Sequence, residues 1–249
     1  DHSRFGHAWT FGSNGSVRLS QRLRLRASYG EGFKAPTLFQ LLSDYGNTRL
    51  KPEHARSYDA GLEWNVRQVR AALTLFRRDS RDLIGYISCF GTSTGICTNR
   101  PFGTYDNIGK ARAEGVEAEL ELKPVEELRV GIAYTYLRAR NLTPGDVNSG
   151  KDLARRPNHS LTTSIDWTTP FHALTLGADM HFQSESYDDA ANTNRFGGGA
   201  LFALRASLPV TQRVELFGRV ENLFDVHVQT IAGYGTPGRA AYGGLRVRY

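Results

Sequence analysis

The feature that most constrains this chain is an alternation of apolar and polar residues with period two, broken by connections of two kinds. At the C-terminal end Tyr249, Val247, Leu245, Gly243 and Ala241 alternate with Arg248, Arg246, Gly244 and Tyr242. Leu174, Leu176, Ala178, Met180 and Phe182 alternate with Thr175, Gly177, Asp179, His181 and Gln183. Val116, Ala118, Leu120 and Leu122 do the same against Glu117, Glu119 and Glu121. Such a pattern specifies strands with one apolar and one polar face. It predicts about eleven antiparallel strands, near 4–18, 22–33, 54–66, 69–88, 104–123, 127–141, 156–168, 172–186, 197–208, 212–224 and 239–249. Between them, short turns (Ser20-Gln21, Val66-Arg67-Gln68, Pro124-Val125-Glu126-Glu127, Thr169-Pro170-Phe171, Pro209-Val210-Thr211-Gln212) alternate strictly with long polar segments. The long ones fall at about 34–53, 89–103, 141–155, 187–198 and 225–238.

A soluble sandwich has no reason to sort its connections this way. An outer-membrane barrel does, with short periplasmic turns and long extracellular loops. The mean hydropathy of −0.42 and the absence of any apolar run of about 18 residues exclude a spanning helix but suit strands that show every second residue to lipid. Three glutamates on one strand face would be costly in a packed core and are comfortable on a watery lumen wall. The reading is therefore all-β, an antiparallel transmembrane barrel. Leu120, Leu122, Val130, Ile132, Leu161, Ile165, Leu174, Leu176, Leu245 and Val247 are expected to face outward. Glu117, Glu119, Asp166, Asp179, Arg205 and Arg246 are expected to face inward. An odd strand number is wrong for a complete bacterial barrel, and half of a larger one removes the difficulty. The chain opens at Asp1-His2-Ser3 without Met or signal peptide, so the natural N-terminus is expected upstream.

The net charge of +6 and pI of 9.4 invite a nucleic-acid reading, but the basic residues are scattered. Arg22, Arg24 and Arg26 alternate with Leu23, Leu25 and Ala27 as one wet strand face, so no nucleic-acid partner is expected. Cys89 and Cys97 flank a Gly/Ser/Thr-rich stretch and lack metal or redox spacing. They read as a disulfide closing an exposed outer loop, which implies an oxidising compartment, or as two free thiols. Gly233-Tyr234-Gly235-Thr236-Pro237-Gly238 fits the dinucleotide fingerprint in letters only, because Pro237 and a strand follow where a helix is required. The seven histidines show no ligand spacing and no nucleophile elbow is present, so neither an enzyme nor a cofactor is indicated. A passive porin would need an eyelet loop rich in charge, and a barrel phospholipase a Ser/His pair at the rim. Neither stands out.

Four stretches carry a resemblance. They are Tyr29-Gly30-Glu31-Gly32-Phe33-Lys34-Ala35-Pro36 with Leu38; Leu50-Lys51-Pro52-Glu53; Asn107-Ile108-Gly109-Lys110-Ala111 with Gly115-Val116-Glu117-Ala118; and Glu221-Asn222-Leu223-Phe224-Asp225 with Gly233-Tyr234 and Pro237-Gly238-Arg239. In this order and spacing the chain resembles the TonB-dependent outer-membrane receptors, and most of all their cobalamin (vitamin B12) branch, with ferric-siderophore receptors as the alternative. Asn222 and Asp225 suit a turn where a strand leaves the membrane, and Gly115 suits a crowded lumen-facing path. The resemblance implies a barrel of about twice this strand number, a plug domain that precedes this chain, a TonB-type energy-transducing partner acting on that plug, and lipid around the wall. It also implies two ligand contacts. Arg155, in Leu153-Ala154-Arg155-Arg156, matches a family arginine that touches the corrin ligand, and Tyr187 falls near a ligand-contacting tyrosine.

Overall fold

The computed structural model describes residues 5–91 and 93–248. Eleven strands form one antiparallel sheet in sequence order: β1 (Gly12–Arg18), β2 (Leu23–Lys34), β3 (Glu53–Val66), β4 (Val69–Ser88), β5 (Gly103–Val125), β6 (Leu128–Asn141), β7 (His159–Thr168), β8 (Thr175–Gln183), β11 (Gly199–Pro209), β12 (Val214–Glu221) and β13 (Ala240–Val247). Two two-residue strands, β9 (Ser186–Tyr187) and β10 (Arg195–Phe196), pair as a separate hairpin inside the connection from β8 to β11. Strand accounts for 58% of the chain and helix for 3%, as the period-two pattern requires.

The ends of the predicted strands need small corrections. The strand expected from residue 4 begins at Gly12, although the Phe11 carbonyl still accepts from Glu31 N–H at 2.8 Å. Arg4, Thr92 of the cysteine-flanked stretch, and the terminal Tyr249 lie outside the described residues. Leu174 sits in the β7–β8 turn, its carbonyl accepting from Thr169 N–H at 2.8 Å. β5 continues through Pro124 to Val125, with a register shift between Leu122 and Val125 that accommodates the proline, which cannot donate to a ladder.

Register decides the faces. Arg246 pairs with Glu215, Arg205 with Gly177, Asp166 with Gly177 and Arg129, and Glu119 with Ala133 and Ala72. Directly opposed residues share a face, so Glu117, Glu119, Asp166, Asp179, Arg205 and Arg246 lie on one surface of the sheet. Leu120, Leu122, Val130, Ile132, Leu161, Ile165, Leu176, Leu245 and Val247 lie on the other. That apolar face is not packed against a second layer: Leu73 is 50% exposed, Leu75 58% and Leu245 65%. A contiguous apolar surface of this size marks a face built to meet an apolar medium. No helix among the described residues is long and apolar enough to cross a membrane.

Most of the buried apolar side chains lie under the long connections. Leu41, Leu50, Cys89, Cys97, Phe196 and Val228 are all buried, and none belongs to the eleven-stranded sheet. Residues 38–42 form a short helix, α1 (Leu38–Leu42), inside a connection expected to be irregular. It is held by a capping box: the Thr37 hydroxyl accepts from Gln40 N–H at 3.2 Å, and Gln40 Oε1 accepts from Thr37 N–H at 2.9 Å. Cys89 and Cys97 are disulfide-bonded, with Cα atoms 5.4 Å apart. The expectation of an exposed loop holds for its rim, where Phe90 is 73% exposed, but the two cysteines are themselves buried.

Candidate ligand-binding site

Every long connection leaves the same edge of the sheet, and there the loops are tied to one another. The 142–158 and 184–198 connections meet at the two residues singled out above. The Arg155 N–H donates to the Tyr187 carbonyl at 2.6 Å, and Arg155 Nε donates to Asp188 Oδ1 at 2.6 Å. Arg155 adopts φ of 59°, a left-handed backbone that a non-glycine residue rarely takes. This turn aims its N–H and its guanidinium at neighbouring residues of the facing loop. A second tie runs in parallel. Asp152 N–H donates to Asn192 Oδ1 at 2.9 Å, and Asn192 Nδ2 donates to the Asp152 carbonyl at 3.0 Å. Arg155 therefore does not stand alone in solvent. Its Nε is committed to a carboxylate whose side chain is only 14% exposed, while the guanidinium as a whole remains 48% exposed and can offer its Nη donors to a ligand.

Asp189 organises the tip beyond it, accepting from Thr193 N–H, the Thr193 hydroxyl and Asn194 N–H. Burial pushes its pKa up, but these hydrogen bonds outweigh burial and hold the carboxyl below its ordinary range.

The 35–52 and 89–102 connections form the other tied pair. Thr104, fully buried, donates to the Tyr45 carbonyl at 3.1 Å and accepts from Arg100 at 2.9 Å. Asn47 Nδ2 donates to the Tyr105 carbonyl at 3.0 Å. Tyr86 stands edge-on to Tyr45 and to Tyr105, with ring centroids 6.0 and 5.5 Å away. Leu38, Phe39 and Leu42 of α1 are left 75%, 58% and 66% exposed at this rim. The long-loop edge thus presents aromatic and apolar surface on one pair of tied loops and a half-exposed guanidinium on the other, a combination suited to a bulky amphipathic ligand.

The four motif stretches turn out to be locks. Asn107 Oδ1 accepts from Lys51 N–H at 2.8 Å, while its Nδ2 donates to the Lys51 and Asp82 carbonyls. Glu53 Oε1 accepts from Ile84 N–H at 3.1 Å and from Lys34 Nζ at 3.2 Å. Asn222 and Asp225 both take positive φ, as a turn at a strand exit requires. Asn222 exchanges hydrogen bonds with the Val226 backbone, and Asp225 Oδ1 accepts from Arg239 N–H at 2.8 Å. Gly115 lies where β5 and β6 approach so closely that a Cβ would overlap the Tyr136 carbonyl oxygen and come within 2.8 Å of Phe76. None of these residues is free to bind a ligand; they fix the loops that could.

On the polar face, Arg205 bridges Asp179 (2.7 and 3.1 Å) and Asp166 (2.6 Å), lying across Gly177, where a Cβ would meet it at 2.6 Å. Arg26 is set similarly against Gly61, donating to Thr74 at 2.7 Å and facing Glu63 at 3.4 Å. Charge on this face is mostly paired side to side along the wall. Among the described residues it forms no concentrated eyelet.

Residues 1–223 match the model of the TonB dependent receptor-like β-barrel. The chain belongs to that family. Solved structures with the same fold include the ferric enterobactin receptor of Pseudomonas aeruginosa, with TM-score 0.77 and 24% identity over 99% of this chain and 41% of that one. The siderophore receptor of Acinetobacter baumannii matches with TM-score 0.75 and 20% identity over 96% of this chain and 36% of that one. The ferric yersiniabactin uptake receptor of Yersinia pestis gives 0.71 and 19%, over 95% and 36%. The chain therefore spans about two fifths of the length of these receptors. For a TonB-dependent receptor barrel the two faces acquire names, the polar one lining the lumen and the apolar one forming the wall. Sequence reasoning placed Arg155 and Tyr187 on neighbouring loops. It missed Asp188, Asp152, Asn192, Arg100 and Thr104, whose partners are distant in sequence and leave no local signal.

Proposed function

We propose that this chain is the C-terminal part of the barrel of an outer-membrane receptor that imports a ferric siderophore. In this reading the plug and the remaining strands belong to the same protein, and a TonB-type partner supplies energy through the plug. The long loops face outward and the short turns face the periplasm of a Gram-negative cell. The observation that carries the ligand is that the solved structures named above, which share this fold along nearly the whole chain, are a ferric enterobactin receptor, a ferric yersiniabactin uptake receptor and a siderophore receptor. The cobalamin expectation rested on loop spacing and on the ending Gly233-Tyr234 with Gly238-Arg239, and Arg155 was carried over from it. It yields to its siderophore alternative, since the arginine is half engaged by Asp188 and the solved structures named above are siderophore receptors.

No covalent chemistry is required of these residues. The aromatic rim at Phe39, Tyr45, Tyr86 and Tyr105 takes up the apolar rings of the ligand. Arg155, oriented by Asp188, donates hydrogen bonds to its anionic oxygens, and Tyr187 lies beside it. Iron is cargo, held by the siderophore. The test is equilibrium binding of iron-loaded catecholate and hydroxamate siderophores and of cobalamin to the full-length receptor in detergent. Saturable binding of one ferric siderophore is expected. Cobalamin binding with no siderophore bound would overturn the ligand, and passive passage of unrelated solutes in liposomes would overturn the receptor.

A further inference from the structure

We propose that residues 184–198 form a hinged strap whose catch on the facing loop sets how fast the ligand enters and leaves. The body of the strap is rigid. β9 and β10 make a two-stranded sheet of their own, with Arg195 opposite Tyr187 and Phe196 opposite Ser186. Across the tip, Asp188 N–H donates to the Asn194 carbonyl at 2.8 Å, and Asp189 accepts from the Thr193 and Asn194 N–H groups at 3.0 and 2.7 Å. At the base Arg195 is ion-paired with Glu185, and Phe196 is buried.

This body joins the main sheet at the Gln183–Gly199 pair through two short legs, Ser184-Glu185 and Gly197-Gly198. Gly198 is fixed by packing, because a Cβ there would come within 2.6 Å of the Gln183 carbonyl oxygen. Gly197 is not. A Cβ there would meet nothing within 4 Å, and its φ lies outside the left-handed region, so neither packing nor backbone geometry demands glycine. What glycine supplies at such a position is freedom of the backbone, the property of a hinge.

The catch is at the far end. The tip residues Asp188 and Asn192 hold Arg155 and Asp152 by the bonds described above. Two features make this catch reversible. Arg155 is held at φ of 59°, a conformation that costs a non-glycine residue energy and that opening releases. Its ion pair with Asp188 has one partner half in water and is correspondingly weak. A rigid lever with a free hinge at one end and a weak catch at the other has two states, shut and open. Under the function proposed above, Arg155 also donates to the ligand, so the ligand binds the shut state better and draws the strap closed. Entry and exit pass through the open state. The inference rests on that reading for its ligand, and on the geometry alone for the strap.

The experiment places nitroxide labels at Ala190→Cys on the exposed tip and at Val147→Cys, 86% exposed on the facing loop, in the full-length receptor. Cys89 and Cys97 are disulfide-bonded to each other and stay unlabelled. Pulsed electron spin resonance is expected to show a short and a long separation, the short one gaining when ferric siderophore is added. Asn192→Ala removes two bonds of the catch and should raise both the association and the dissociation rate constant by about three- to ten-fold. Gly197→Val should slow both several-fold with the equilibrium affinity unmoved, where a strap that is only a static tie predicts no change in rate. Heat-modifiable electrophoretic mobility verifies that each variant is a folded barrel. Two separations in a receptor that binds no siderophore would keep the strap and overturn the proposed ligand. A single separation in both the native and the Asn192→Ala receptor, or association rates that neither variant changes, overturns the strap.

Discussion

Replacing Arg155 by alanine separates two roles that the geometry allows, a clamp between loops and a contact to ligand. The clamp has a ceiling. Its ion pair joins a guanidinium that is 48% exposed to a carboxylate that is 14% exposed, and with one partner half in solvent such a pair is worth about 1 kcal/mol, or about five-fold in an equilibrium constant. The backbone tie from Arg155 N–H to the Tyr187 carbonyl survives the substitution, as do the two bonds between Asp152 and Asn192. Loss of the clamp alone should therefore weaken ferric-siderophore binding by about five-fold at most, and Asp188→Ala should show that loss. A charge-assisted hydrogen bond from the Nη donors to the ligand adds about 1.5–3 kcal/mol, so Arg155→Ala should cost roughly ten- to a hundred-fold. Arg155→Lys keeps the charge but not the fork, and should fall between the two. Arg156→Ala, at the exposed neighbour, should be near neutral. Ligand titration of folded receptor decides the matter. Equal losses in Arg155→Ala and Asp188→Ala, with the double variant no worse than either, would refute ligand contact and leave only a clamp.

Three further outcomes follow from particular contacts. Gly115→Ala should destabilise the barrel by about 3 kcal/mol in urea titration followed by electrophoretic mobility, because the new methyl overlaps the Tyr136 carbonyl. Gly30→Ala on β2, where a Cβ meets nothing within 4 Å, should change stability by no more than about 0.5 kcal/mol. Replacing both Cys89 and Cys97 by serine should cost the 89–102 loop about 2–3 kcal/mol of closure free energy, given a sequence separation of 8, and should appear as protease cutting in that loop with the barrel intact. Because the Asp189 carboxyl titrates below its ordinary value in the folded loop, its contribution is present above about pH 4 and is lost as pH falls through the depressed pKa. The Thr193 and Asn194 amide resonances should therefore stay at their neutral-pH positions through the ordinary Asp range and shift only below it, whereas movement at higher pH would count against the hydrogen-bond assignment.

Legibility divides along a physical line. What depends on the period of the backbone could be read directly, because one misplaced residue would turn a whole apolar set to the wrong face. Hence Leu120, Ile132 and Val247 share a face opposite Glu119 and Arg205, and the strand order is the chain order. Connections short enough to be turns announced themselves as well, since each sits between two period-two runs that pair with each other. What lies at the long-loop edge depends on contacts between residues far apart in the chain. Nothing near Arg155 in sequence identifies Asp188 as its partner, and nothing near Asp152 points to Asn192. The Thr37-Leu38-Phe39-Gln40 capping box was present as a local signal, but a helix as short as Leu38–Leu42 has no apolar period to draw attention to it. The motif residues misled in the other direction. Asn107, Glu53, Asn222 and Asp225 have the polar side chains expected of a binding site, yet each is consumed by backbone groups of an adjoining strand or connection. A receptor whose ligand changes from one relative to another needs a constant frame for its variable loops. The recognisable residues of this chain are that frame, and for that reason they reveal the family more readily than the ligand.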